Sequence, residues 1–149
     1  MNDIGFKIGA GMHRALYKAT RGRIGSRGGG LDFLLLTTIG LKTGKKHTVP
    51  LQHFLDSDKT IVVASKGGSE HHPHWYLNLR SNPQVVVQIK KSEMSMLATT
   101  AFGEERNRLW KIITARYGGY DDYQKKTNRE IPIVTLSESE LVDQELADS

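Results

Sequence analysis

The 149-residue chain contains no cysteine, which excludes disulfides, thiolate nucleophiles, iron–sulfur clusters and cysteine-ligated zinc. Long hydrophobic runs are also missing: Phe33-Leu34-Leu35-Leu36 and Ile61-Val62-Val63-Ala64 fall far short of a membrane span. No signal peptide is read at the start, because Lys7, His13 and Arg14 interrupt every apolar stretch there. Proline is scarce, at four residues, while 38% of the chain is hydrophobic, so disorder along the whole length is excluded. Length and composition suit one compact, cytoplasmic domain.

Acidic residues are scarce outside the last dozen positions. The net charge of +5 includes Glu138, Glu140, Asp143, Glu145 and Asp148, a basic-free tail spanning 138–149. The preceding 137 residues hold 21 basic against 11 acidic groups, a net charge near +10 that favours an anionic partner. Three organisational units are expected: an amphipathic helix with a Gly/Arg-rich linker over 1–30, a working domain over 31–137, and the acidic tail. The N-terminal stripe of Ile8, Met12, Ala15, Leu16 and Ala19 reads as a helix face that needs burial. It packs as a lid on the domain or, with Lys7, Arg14, Lys18 and Arg21, lies weakly on an anionic membrane at the inner face of the cell membrane.

Short β-type runs follow at Asp32–Thr38, Thr48–Leu55, Thr60–Ser65, Gln84–Lys90, Met94–Phe102 and Ile131–Leu136. Turn signals at Gly40 and Gly44, Asp56-Ser57-Asp58, Gly67-Gly68 and Lys91-Ser92 separate them. Helical segments are expected over Pro73–Leu79, from Gly103 to Tyr117, and over Tyr120–Thr127. Strands dominate, and they do not alternate with long helices, so a mainly β (α+β) fold is expected: a six-stranded antiparallel barrel with flanking helices.

Three clusters carry chemistry. Gly40-Leu41-Lys42-Thr43-Gly44-Lys45-Lys46-His47 is not a Walker A loop, because Lys46 stands where a magnesium-binding Ser or Thr is needed. A glycine turn bearing Lys42, Lys45, Lys46 and His47 still suits a polyanion; the alternative is a hairpin with solvated lysines. His71, His72 and His74 beside Glu70 read as a surface loop, since adjacent histidines point apart and no ligand follows at helical spacing. Tyr117, Tyr120 and Tyr123 recur every three residues around Gly118-Gly119. Three phenols in place of leucines point to a polar-lined pocket, with a packed amphipathic helix as the alternative.

In this order the elements LLLTTIGLKTGKKHTVPL (34–51), VVASKGG (62–68), HPHWYLNLRSNP (72–83), GEERNRLW (103–110) and YGGYDDYQKKTNREIPIV (117–134) resemble the deazaflavin-dependent nitroreductase and F420-dependent quinone reductase family. That resemblance covers residues 31–136 and implies a split β-barrel of the flavin-mononucleotide-binding type. It implies coenzyme F420, an 8-hydroxy-5-deazaflavin whose phosphate and glutamates would explain the basic excess. Position by position, Lys42, Thr43, Lys45 and His47 match the loop holding the anionic tail, with Pro50 following on the next strand. Val63, Ala64, Ser65 and Lys66 match the stretch along the ring. Pro73, Trp75, Tyr76 and Asn78 match the helix against the cofactor's side chain. Tyr117, Tyr120 and Tyr123 match the substrate side. This chain departs from the family in Leu41 and His47, where arginine is common, and at Gln52, a substrate-side position near which an aromatic is common.

The resemblance implies an oxidoreductase moving a hydride from reduced F420 to a small electron-poor acceptor: a quinone, nitroaromatic or enone. Tyr120, Tyr123 and Ser65 are the expected catalytic hydrogen-bond donors to the acceptor oxygen. No metal and no nucleic acid is expected, the strands being too aliphatic for base stacking. The alternative is a flavin-mononucleotide oxidoreductase or flavin carrier on the same barrel. In either case a monomer or homodimer is expected.

Overall fold

The computed structural model describes residues 27–28 and 31–138. The N-terminal helix and nearly all of the acidic tail lie outside the described residues. Seven strands form one antiparallel sheet: β1 (Arg27–Gly28), β2 (Leu31–Ile39), β3 (Lys46–Asp56), β4 (Lys59–Val63), β5 (Gln84–Ile89), β6 (Ser92–Thr100) and β7 (Ile133–Glu138). Their order is β1-β2-β3-β4-β7-β6-β5, and a further β2–β5 pairing closes the last six into a barrel. Closure removes the exposed sheet edges that would otherwise pair with another chain. The expected six-stranded barrel is therefore present, with β1 as a short addition: Arg27 and Gly28 pair with Asp32 and Leu31.

Why these segments become strands is visible in their burial. β2 holds Leu34, Leu35 and Leu36, all essentially inaccessible to solvent, because its middle is covered on both faces. Leu34 and Leu36 point into a first core with Val62, Val85, Val87, Val134 and Leu136, the interior of the barrel. Ile61 and Val63 alternate to the other side of β4, joining Phe54, Ile131 and Ile133 in a second core. Two-sided burial thus explains the unbroken apolar run at 61–64. The expected strand Thr60–Ser65 stops earlier, at Val63: the Ala64 N–H still bonds the Pro132 carbonyl in register at 2.9 Å, but proline has no N–H to return, so the ladder ends there. The last strand runs to Glu138, which pairs with Met96, so the first residue of the expected acidic tail belongs to the barrel.

Among the described residues, three α-helices flank the barrel: α1 (His74–Ser81), α2 (Gly103–Arg116) and α3 (Gly119–Lys125). Pro73 caps α1 in extended conformation, where its missing N–H costs nothing. α1 inserts Trp75, Tyr76 and Leu79 into the first core. α2 begins with Glu104 and Glu105 at its positive end and buries Leu109 and Ile113 in the second. α3 adds Tyr120 to the same cluster.

Candidate active site

A cleft of about 530 Å³ opens where β3, the segment after β4, α1 and α3 converge. One wall is strand: Phe33 of β2 and Val49, Pro50, Leu51 and Gln52 of β3. The opposite side is a strap, Ser65, Lys66 and Gly67, that leaves the end of β4 beside Val63. Pro73 and Trp75 come from the start of α1, and Tyr117, Tyr120 and Tyr123 close the site from α3 and the residues before it. Ten of the residues expected at the site from sequence therefore line one cavity: Pro50, Gln52, Val63, Ser65, Lys66, Pro73, Trp75, Tyr117, Tyr120 and Tyr123.

The three phenols pack edge to face. Ring centroids are 5.2 Å apart for Tyr117–Tyr120 and 5.9 Å for Tyr120–Tyr123, with Phe54 6.0 Å behind Tyr120. Tyr120 is only 6% exposed, and its hydroxyl donates to Gln52 Oε1 at 3.0 Å. Burial, then the neighbouring phenols Tyr117 and Tyr123, push the Tyr120 hydroxyl far above its ordinary range. Tyr120 is a fixed proton donor and not a base. The hydroxyl of Tyr123, followed by its charge, raises Tyr117 as well. The amide nitrogen of Gln52 is buried with no partner among the described residues.

Two glycines bring the walls this close. A Cβ on Gly119 would lie 2.5 Å from the Tyr117 ring, and one on Gly68 would lie 2.7 Å from the Tyr123 carbonyl oxygen. The double glycine after Tyr117 lets that ring fold over the start of α3, and Gly68 lets α3 rest on the strap. Both positions are contacts that any side chain would occupy.

The remaining candidates stand around the cleft. Lys42, Thr43 and Lys45 form an exposed turn between β2 and β3, and His47, also exposed, stands on β3 opposite Thr38, two residues before Val49. Thr43 Oγ1 accepts from the Lys45 N–H at 3.2 Å, so this threonine shapes the turn. Asn78 is buried: it accepts from the Leu41 N–H at 3.0 Å and donates to Thr38 Oγ1 at 3.1 Å, pinning the basic turn to α1. Tyr76, also buried, has its hydroxyl 3.0 Å from Thr100 Oγ1. Ala64 is inaccessible and forms part of the barrel core. These three support the cleft from behind.

Sequence reasoning did not single out Phe33, Val49, Leu51 or Gly67, which line the cavity, or Arg129, which is tied to the strap. Alternation along β2 and β3 carried a signal for the first three: each sits two positions from a residue on the same face of its strand. Arg129 had none, since one arginine in a polar loop is unremarkable by sequence.

A small closed antiparallel barrel with a tyrosine-lined cleft is the split-barrel class expected from the sequence. The comparisons make this particular. The family model described as F420H(2)-dependent quinone reductase matches residues 10–138. An F420H(2)-dependent quinone reductase of Mycobacterium tuberculosis is 38% identical over 130 residues, covering 85% of this chain and 87% of that protein. A solved F420-H2 dependent reductase (FDR-A) superposes with a TM-score of 0.64 at 42% identity, covering 70% of this chain and 93% of its own. A structure described as a domain-swapped dimer gives 0.65 at 35% identity, over 86% of this chain and 100% of that one. The chain belongs to the F420H(2)-dependent quinone reductase family.

Proposed function

We propose that the cleft binds coenzyme F420 with its ring between the Ser65–Gly67 strap and the β3 wall, and reduces a quinone presented on the tyrosine side. The observation that carries this reading is the convergence of three phenols and a flat, mostly apolar wall on one cavity of about 530 Å³. The residues present fit such a group. The cavity is large enough for a planar ring system, an unpartnered buried amide nitrogen waits in its wall at Gln52, and the exposed Lys42 and Lys45 precede the β3 residues that line it.

When bound, reduced F420 supplies the hydride, so no side chain has to carry electrons. The protein's residues orient and stabilise. Lys42, Lys45 and His47 hold the anionic tail, with charge-assisted contacts stronger than neutral ones. Phe33, Val49, Leu51 and Trp75 exclude water from the reacting face. Tyr123 and Ser65 offer hydroxyl donors to the oxygen on which charge develops. Tyr120 has its proton engaged with Gln52 Oε1 and so turns the Gln52 amide, whose Nε2 is the third donor available. The quinone, a flat apolar acceptor, is the member of the wider acceptor class that this aromatic wall suits best.

Steady-state assays with reduced F420 and menadione test this function. Turnover that depends on both, and that falls about tenfold or more in Tyr123→Phe combined with Ser65→Ala, is the expected result. Turnover unaffected by that pair would remove both hydroxyls from the reaction. A homodimer is the assembly we favour, supported by the domain-swapped relative and open to light scattering.

A further inference from the structure

We propose that Arg129, in the connection between α3 and β7, is the positioning residue that sets the strap wall of the cleft against the tyrosine wall; the proposal rests on the functional reading above. The strap takes an unusual path. Lys66, Gly67 and Gly68 follow one another at φ of 45°, 63° and 86°, and Lys66 carries a side chain in this left-handed region. Such a run persists only where its surroundings over-determine it.

Arg129 supplies that determination. Its Nη1 donates to the Ala64 carbonyl at 3.2 Å, its Nη2 to the Ser65 carbonyl at 2.9 Å and its Nε to the Ser69 carbonyl at 2.8 Å. The carbonyls on both flanks of the left-handed run are thus gathered on one rigid fork. Nη1 also lies 3.0 Å from His72 Nδ1, in the segment leading to α1. Among the described residues these partners include no carboxylate. A half-buried guanidinium given only neutral acceptors is a costly choice, and burial lowers its pKa accordingly. Its value is in where it holds the backbone.

The other end of the fork is fastened to the tyrosines. Gln124 of α3 donates from Nε2 to the Arg129 carbonyl at 2.7 Å and accepts the Ile131 N–H at 2.9 Å. Gln124 follows Tyr123 directly, and the Tyr123 carbonyl is the atom that a Cβ on Gly68 would meet. Arg129, by its guanidinium on the strap and its backbone carbonyl on Gln124, therefore links Ser65, Lys66 and Gly67 on one wall to the helix that carries Tyr120 and Tyr123 on the other. Hydride transfer depends steeply on such registration.

The full-length chain with Arg129→Ala and Arg129→Lys provides the test. We expect both variants to fold, judged by circular dichroism, and the amides of residues 65–69 to exchange hydrogen faster than in the wild type with no cofactor added. In turnover with menadione, kcat should fall about tenfold or more in both variants while the KM for menadione changes little. Millimolar methylguanidinium should restore kcat in Arg129→Ala, and equal methylammonium should not, since an ammonium lacks the fork. Unchanged strap exchange, or a loss of rate that only tracks the unfolded fraction and ignores methylguanidinium, would overturn the assignment. The exchange measurement separates the two claims: fast strap amides together with an inactive wild type would support the clamp and sink the quinone-reductase reading.

Discussion

The Tyr120 hydroxyl donates its proton to Gln52 Oε1 across 3.0 Å, joining residues 68 positions apart in sequence. This single contact ties α3 to β3 at the floor of the cleft. It also assigns the proton: Tyr120 is held in its neutral form by burial, so it fixes the amide and leaves the buried Nε2 as the donor without a partner. Tyr120→Phe should therefore reduce turnover more than it reduces F420 affinity, the signature of an interaction serving the transition state. A stability loss of roughly 1 kcal/mol should accompany it, measured by urea unfolding, from the lost hydrogen bond. Equal turnover in the variant would reduce Tyr120 to packing.

The basic turn gives a prediction on affinity. Lys42 and Lys45 are exposed and free to meet an anionic tail. Lys42→Ala and Lys45→Ala should each weaken F420 binding by about tenfold or more, on the basis of roughly 1.5–3 kcal/mol per shielded charge-assisted contact. Added salt should weaken the wild type toward the variants' affinity. Fluorescence titration at two salt concentrations reads both effects, and salt-independent binding would place the tail elsewhere.

Gly68 is the steric prediction. With φ at 86° and the Tyr123 carbonyl 2.7 Å from any Cβ, Gly68→Ala must shift α3 or the strap. A loss of about 1–3 kcal/mol is expected from strain alone, with Tyr120 and Tyr123 displaced together. Thermal melting and near-ultraviolet circular dichroism of the tyrosines check this. An unchanged tyrosine signal would mean that α3 does not rest on the strap.

Acid should destabilise the fold through His72. Burial, then Arg129, then Arg80 lower its pKa from the ordinary histidine value. Its Nδ1 faces the Arg129 guanidinium, which needs an unprotonated acceptor, and its ring lies 5.0 Å from that of Tyr76. As pH falls below about 6.5, the unfolded chain takes up the proton first, so stability is lost down to the lower pKa of the folded state. His53, buried and lowered chiefly by desolvation, acts in the same direction. His72→Gln should flatten part of the fall in melting temperature between pH 7 and pH 5. An identical fall in the variant would leave the effect to His53.

Much of this architecture is legible in the residues. Apolar runs bounded by turn signals gave six barrel strands, and the phenols at 117, 120 and 123 pointed to a polar-lined pocket before any geometry. Element ends were less legible. Nothing local says that the ladder stops at Val63 with Ala64 still bonded to Pro132, because the proline that ends it is distant in sequence. The buried supports were least visible: Asn78 reads as one polar residue in a short helix, yet it anchors the basic turn 37 residues away. Arg129 is the extreme case, since its partners are backbone carbonyls that carry no sequence signature.

The central claim is that this cleft is the F420 site. Fluorescence quenching of F420, with flavin mononucleotide titrated in parallel, measures it on the wild type and on Ser65→Phe, which plugs the cavity between the strap and β3. The account predicts saturable F420 binding to the wild type, much weaker flavin mononucleotide binding, and loss of F420 binding in a folded Ser65→Phe. Tighter binding of flavin mononucleotide than of F420, or F420 affinity unchanged in the plugged variant, would contradict it.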